Sequence, residues 1–178
     1  MQKALERKRE RLSQPLTPGA EMAYNRLMKN LKEIRPIMEK EGVECFRIYD
    51  ADMPEYAASI DIYMDKWVVV NEYAAPDTIP EEDTRRRLGE LVTATERATG
   101  IDLDSIYVKE RSRQKGKNQY SRLASNNKMM IARENGVKFL VNFTDYLDTG
   151  VFLDHRPVRK MIQDMAKDKR FLNLFCYT

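Results

Sequence analysis

Histidine and cysteine are almost missing from this chain of 178 residues: there is one histidine, His155, and two cysteines, Cys45 and Cys176. A single histidine excludes any site built on two, and an isolated one reads first as a surface or packing residue. The cysteines stand far apart and match no metal-ligand spacing. They read as reduced thiols in a cytoplasmic protein, and no metal is expected. No run of 18 apolar residues occurs, so a membrane-spanning helix is excluded. The opening residues, MQKALERKRERL, are too charged for a secretory signal.

Charge is plentiful instead. Charged residues make up 33% of the chain and hydrophobic ones 42%. That composition supports one domain with appended elements. The charge is not spread evenly. Lys109 to Arg122, KERSRQKGKNQYSR, holds six basic residues against one acid, a local net charge of +5 in a chain of +3. Arg111, Arg113, Lys115 and Lys117 fall on alternate positions, which an extended backbone puts on one face. Gln119 and Tyr120 add a hydrogen-bonding and a stacking group at the end. A basic, extended, aromatic-tipped loop suits a nucleic-acid backbone; a solvated loop kept basic for solubility is the plainer alternative.

Along the chain, residues 3–12 read as a basic helix with little to bury, a solvated linker broken by Pro15, Pro18 and Gly19. Residues 20–41 carry an apolar stripe of Met22, Leu27, Leu31, Ile34 and Met38. Pro36 predicts a kink or an early stop near Arg35. Glu44 to Tyr49 is a strand. The carboxylates of the turn that follows read as backbone hydrogen-bonders rather than metal ligands. Residues 57–64 alternate, and WVVVNEY (Trp67 to Tyr73) pairs with them as an antiparallel hairpin. Residues 81–98 form a helix with an acidic first turn and a stop at Gly100; Leu88, Leu91, Val92 and Thr95 face the sheet. Ile106 to Lys109 is a short strand. Residues 128–133 and 137–143 pair across Asn135-Gly136, a strong hairpin signal.

A turn at Gly150 leads to a short apolar strand, and Pro157 opens an amphipathic helix. Phe171 to Phe175 reads as a buried strand of the kind that begins a doubly wound domain, but the glycine-rich turn that should follow is missing. The expected fold class is therefore α+β. A small antiparallel sheet with packed helices is followed by the first elements of a truncated Rossmann-like domain. The expected divisions are 1–19, a basic linker helix; 20–145, the α+β domain; and 146–178, the start of the second domain.

Four stretches carry a resemblance: FRIYDADMPEY (46–56), KERSRQKGKNQY (109–120), NFTDYLDTGVFLDHR (142–156) and FLNLFCYT (171–178). In order and spacing the chain, from about Met22 on, resembles the RlmK-type, C-terminal half of the bifunctional bacterial 23S rRNA guanine methyltransferases. The resemblance implies S-adenosylmethionine as cofactor, 23S rRNA as partner, no membrane partner, a cytoplasmic setting and N7 methylation of a guanine. That half places an α+β substrate-side domain before the cofactor domain. The implied RNA-binding residues are Lys109, Arg111, Arg113, Lys115, Lys117, Gln119 and Tyr120. The implied cofactor-binding residues are Asp154, Arg156 and Asn173, with Asp148-Thr149-Gly150 in the same pocket wall. Asp154 and Arg156 fit a structural ion pair at the start of the next helix equally well. Catalytic residues are unknown from this chain, which by itself is expected to be inactive and to bind S-adenosylmethionine poorly. Two other readings stay open. One is a stand-alone RNA-binding module. The other is part of an N6-adenine-specific DNA methylase, although no Asn/Asp-Pro-Pro-Tyr motif occurs here.

Overall fold

Three consecutive valines in WVVVNEY show where the sheet lies. Val68, Val69 and Val70 are all fully buried, so this strand is covered on both faces and loses the alternation of a one-sided strand. The computed structural model describes residues 2–76, 78–111 and 123–174. Along the chain come α1 (Gln2–Ser13), α2 (Pro18–Lys40), β1 (Cys45–Asp50), β2 (Ala58–Tyr63), β3 (Trp67–Tyr73), α3 (Glu81–Thr99), β4 (Ile106–Arg111), β5 (Met130–Glu134), β6 (Val137–Val141) and α4 (Arg156–Met165). The expected α+β mixture is what forms.

The main sheet has the order β1-β2-β3-β4. The β2–β3 hairpin closes through Met64 and Asp65 with φ of 56° and 51°, and Lys66 N donates to Tyr63 O at 3.1 Å. Two left-handed residues in a row reverse the chain within the three-residue loop, 64–66, between the paired Tyr63 and Trp67. The expectation of an antiparallel sheet holds for β1–β2 and β2–β3 but not for β4, which runs parallel to β3. The chain crosses over through α3 between them, so β4 starts from the same end of the sheet as β3. The second hairpin, β5–β6, turns at Asn135 and Gly136 with φ of 50° and 78°, as the Asn-Gly pair predicts.

The two faces of the sheet are covered differently. On one face lie α2 and α3, over a core that includes Ile48, Ile60, Ile62, Val68, Val70, Leu27 and Leu91. Each such aliphatic side chain contributes about 1.5–3 kcal/mol on burial. Thr17 caps α2, its hydroxyl accepting from Ala20 N at 3.2 Å, and Pro18 takes the first turn, where no amide is needed. The buried seam of α2 is Ala20, Ala23, Leu27 and Leu31, and Met22 is 43% exposed instead of facing the core. Small residues let α2 come close to α3. Gly19 shows the limit, because a Cβ there would overlap the Glu90 carboxylate and the Tyr56 hydroxyl. Those two groups are hydrogen-bonded to each other at 2.9 Å.

On the other face, β5–β6 covers Cys45, Tyr63 and Val69 and closes a second core around Phe143. The Phe143 ring lies 4.9 Å from Tyr63, 5.8 Å from Trp67 and 5.1 Å from Tyr107, within the range of favourable tilted aromatic pairs.

Several expectations are corrected. Pro36 does not end α2, which runs on to Lys40; its missing amide faces an exposed side of the helix. Helix α1 is not merely a solvated linker, since Arg11 is bound to buried Glu96 of α3 and Lys8 pairs with Asp102. Residues 151–153 lead into a single 3-10 turn, Leu153–His155, not a strand. Residues 171–174 are not in a strand either, and Phe175 lies outside the described residues. A strand needs a neighbour to satisfy its amides, and none of the described strands lies against 171–174.

Candidate functional site

The hairpin β5–β6 covers only part of its sheet face, and the strand residues beyond it are polar. Arg47 on β1, Ser59 and Asp61 on β2, Asn71 on β3 and Arg111 on β4 line an open cleft of about 650 Å³. Strand alternation explains why they share a face. Arg47 stands directly across from Asp61, and Ser59 from Asn71. A β-bulge between Arg47 and Tyr49 turns both Ile48 and Tyr49 into the helix-side core and returns Asp50 to the cleft side.

The floor of this cleft is deeply buried: Ser59 is 1% exposed, Asn71 3% and Asp61 5%. Buried polar groups must be hydrogen-bonded, and these are. Arg47 Nε donates to Asp61 Oδ1 at 2.7 Å and Nη2 to Asp61 Oδ2 at 3.2 Å; Nη1 donates to Asp50 at 3.3 Å. The Asp61 hydrogen bond holds the guanidinium well above its ordinary pKa, against the opposing effect of burial. Asn71 Nδ2 donates to Ser59 Oγ at 3.3 Å. Arg111 Nε donates to Asn71 Oδ1 at 3.1 Å and Nη2 to Asp148 Oδ1 at 3.0 Å. A polar ladder thus crosses all four strands.

The loop that forms the far wall of the cleft is fixed by two buried groups. Asp145 accepts from Asn126 N at 2.9 Å, Asn127 N at 2.8 Å, Asn142 Nδ2 at 3.2 Å and Thr144 Oγ1 at 3.0 Å. Burial pushes its carboxyl up, but these four donors outweigh it and bring the pKa down to about 2. Lys109 reaches the same loop from β4. Its Nζ donates to the carbonyls of Tyr146 at 2.7 Å, Leu147 at 3.2 Å and Asn142 at 3.5 Å. Burial, then the neighbouring Arg111, lower its pKa to about 8, although Asp148 opposes this. Thr149, next along, exchanges a hydrogen bond with Tyr63 at 2.9 Å.

The residues named from the sequence fall in different places. Lys109 is 4% exposed and is not part of an exposed loop; an ammonium held by three carbonyls does not reach a phosphate in this arrangement. Arg111 is half-buried in the cleft wall. Arg113, Lys115, Lys117, Gln119 and Tyr120 lie outside the described residues. Asp154 and Arg156 both line the cleft. They do not form the ion pair considered above: Arg156 pairs with Glu41 at 3.2 Å, and Asp154 lies 3.7 Å from His155 Nε2. Asn173 is exposed and does not line this cleft. Among the described residues no group of histidine, cysteine, aspartate and glutamate could hold a metal ion. No described helix is long and apolar enough to cross a membrane.

Arg47, Ser59, Asp61 and Asn71 do not stand out in the sequence. Their signal is there: polar residues at every second position opposite Ile60, Ile62 and Val70. The alternation marks a polar face, yet only the fold shows that this face is buried.

Comparisons with known proteins place this geometry in context. A family model described as S-adenosylmethionine-dependent methyltransferase matches residues 52–178. The chain is 52% identical over 163 residues to a Marinomonas sp. (strain MWYL1) protein named ribosomal RNA large subunit methyltransferase K/L. The match covers 92% of this chain and 22% of that protein. A Pseudomonas fluorescens (strain Pf0-1) protein of the same name is 53% identical over 168 residues, covering 94% of this chain and again 22% of the relative. This chain thus spans about a fifth of the length of these relatives. In fold it is similar to a solved Streptococcus mutans structure described as a candidate SAM-dependent methyltransferase. The TM-score is 0.58 and the identity 18%, over 84% of this chain and 37% of that one. A second structure, described as a candidate methyltransferase complexed with SAH, matches with the same TM-score and identity over 84% of this chain and 36% of its own.

Proposed function

This chain belongs to the S-adenosylmethionine-dependent methyltransferases, and from that premise we propose that it is the RNA-substrate side of an enzyme that methylates a guanine of 23S rRNA at N7, corresponding to the RlmK-type half of the bifunctional proteins. The observation that carries this reading is the 52% identity with proteins named for large-subunit rRNA methylation, over nearly the whole of this chain. The cytoplasm of a bacterium is the setting that goes with this proposed substrate.

The residues support a division of labour. Arg111 stands at the cleft edge, where the strand leads into the basic stretch Arg113, Lys115, Lys117, Gln119 and Tyr120, which holds the RNA backbone. Lys109 serves the same function from inside, by fixing the loop 142–147. The cofactor's amino-acid end carries an ammonium and a carboxylate. Asp154 and Arg156 are a matching acceptor and donor on one cleft, with Asn173 further along the chain. When bound, the cofactor supplies an electrophilic methyl group. Guanine N7 already carries its lone pair, so this chain's residues need to align the base and exclude water rather than abstract a proton.

The test is product analysis. The chain, and a full-length K/L protein as reference, are incubated with labelled S-adenosylmethionine and unmodified 23S rRNA, which is then digested to nucleosides. The expected result is N7-methylguanosine with the full-length protein and RNA binding without turnover for this chain. No guanine N7 product from the full-length protein would overturn the N7 assignment, and absence of RNA binding by the chain would overturn its substrate-side role.

A further inference from the structure

We propose that the polar cleft holds one unstacked guanine by its Watson–Crick edge, with the N7 edge left toward the cleft mouth. This rests on the reading above that the substrate is RNA, and it adds which base edge is read and by which residues.

The first observation is the contrast along one sheet face. Where β5–β6 covers it, the face is apolar: Cys45, Tyr63 and Val69. Where it is open, the face is Arg47, Ser59, Asp61, Asn71 and Arg111. Desolvating such groups is costly, and a solvated sheet edge would not need Ser59, Asp61 and Asn71 buried to 1–5% exposure. A cleft of about 650 Å³ is of ligand size.

The second observation is charge balance. The lining carries three arginines and four aspartates, so it offers no positive field for a phosphate. It suits a neutral ligand that presents donors and acceptors side by side. Guanine does so: N1–H and the N2 amino group donate, and O6 beside them accepts. Each Asp61 oxygen takes one guanidinium hydrogen bond and has a second lone pair for N1–H and N2–H. Asn71 Nδ2 has two hydrogens, one directed at Ser59, and the second suits O6. Asp61 and Asn71 are diagonal neighbours on paired strands, about 7 Å apart, which spans the edge of a base. Phe152, 40% exposed on the cleft wall, supplies a ring for stacking. Adenine lacks the N1 hydrogen and turns an amino group toward the Asn71 donor, so the site rejects it.

The experiment measures fluorescence anisotropy of labelled nine-nucleotide RNAs with this chain. Each RNA has uridine at every position except the centre, which carries guanine, 7-deazaguanine, inosine or adenine. The expected order is guanine equal to 7-deazaguanine, inosine at least threefold weaker, and adenine at least tenfold weaker. In Asp61→Asn and in Asn71→Ala the guanine-to-adenine ratio falls below threefold. Should either variant fail to fold, the Asn71 side-chain amide of the unaltered chain is followed by NMR; it shifts with guanosine monophosphate and not with adenosine monophosphate. Equal affinity for guanine and adenine would overturn the proposal while leaving RNA binding intact. A tenfold loss with 7-deazaguanine would overturn the orientation, because N7 would then be a contact. No binding to any of the RNAs would overturn this proposal together with the substrate-side reading.

Discussion

Arg11 of α1 closes a two-pronged ion pair on Glu96 of α3: Nε to Oε2 at 2.9 Å and Nη2 to Oε1 at 2.5 Å. Glu96 is 2% exposed while Arg11 keeps 38% exposure. The carboxylate is thus buried under the first helix, and the hydrogen bond to it raises the Arg11 pKa. The Lys8–Asp102 pair and the hydrogen bonds from Arg97 to the Arg11 and Gln14 carbonyls join it in tying this basic helix to the rest of the fold.

Removing the anchor should leave a buried charge without its partner. Arg11→Ala is expected to cost about 2–3 kcal/mol, at or below the low end for a broken buried pair because Arg11 is partly solvated. Glu96→Gln removes the charge as well as the pair and should cost less. Urea denaturation of the two variants checks this. Equal and small losses, under about 0.5 kcal/mol as for surface sites, would show that α1 is not held by this pair.

Lys109 gives a pH dependence of definite sign. Its folded pKa of about 8 lies below the ordinary lysine value near 10.4. Between those values the unfolded chain binds more protons than the folded one, so this residue makes stability rise as pH rises from about 8 toward 10. The buried ammonium is least favourable below pH 8, where the three carbonyls and the nearby Asp148 offset only part of its desolvation. Comparing denaturation midpoints of the unaltered chain and Lys109→Met at pH 7 and pH 9.5 isolates this effect. The difference between the two proteins should shift in favour of the unaltered chain at the higher pH. No change in that difference between the two pH values would mean that Lys109 is solvated and titrates normally.

Asp145 acts at the acid end. Its pKa of about 2 is below the ordinary aspartate value near 3.9. Its stabilisation is therefore complete above about pH 4 and lost as pH falls toward 2. The amides of Asn126 and Asn127, which donate to it, should report its protonation by NMR with a midpoint near 2. A midpoint near 4 for both amides would show that the carboxylate is not the hub of this loop.

Much of this fold is legible in the sequence, and the failures have local causes. Asn135-Gly136, Gly100 and the acidic start of α3 act through backbone conformation and the helix dipole, which need no knowledge of distant residues. The parallel direction of β4 is not legible locally, because strand direction depends on where α3 returns the chain, not on the residues of Ile106–Arg111 themselves. Met22 and Ala23 show the same limit within a helix: hydrophobicity favours the methionine, but close approach of α2 to α3 favours the alanine. The site was the least legible part. Lys109 belongs by charge to the basic stretch, yet it is the first residue of that run and still lies in β4, so it points into the molecule. Asp61 and Asn71 look like ordinary polar alternation until the cleft buries them.

The basic stretch gives a salt-dependence test in which Lys109 now serves as a control. Suppose Arg111, Arg113, Lys115 and Lys117 each neutralise one phosphate of a single-stranded RNA. The log of affinity then falls against the log of salt with a slope of about −3, at roughly 0.7 per contact. The fourfold alanine variant should have a slope near zero. Lys109→Met should keep a slope close to −3 after correction for its folded fraction, because its ammonium is held by carbonyls inside the protein. Arg111 has defined partners, Asn71 and Asp148, and Arg111→Ala alone should flatten the slope by about 0.7, the share of one contact. Anisotropy titrations from 50 to 300 mM salt, with circular dichroism as the check on folding, decide the matter. An unchanged slope in the fourfold variant would remove the stretch from the RNA interface, and a flattened slope in Lys109→Met would mean that the buried lysine leaves its carbonyls when RNA binds.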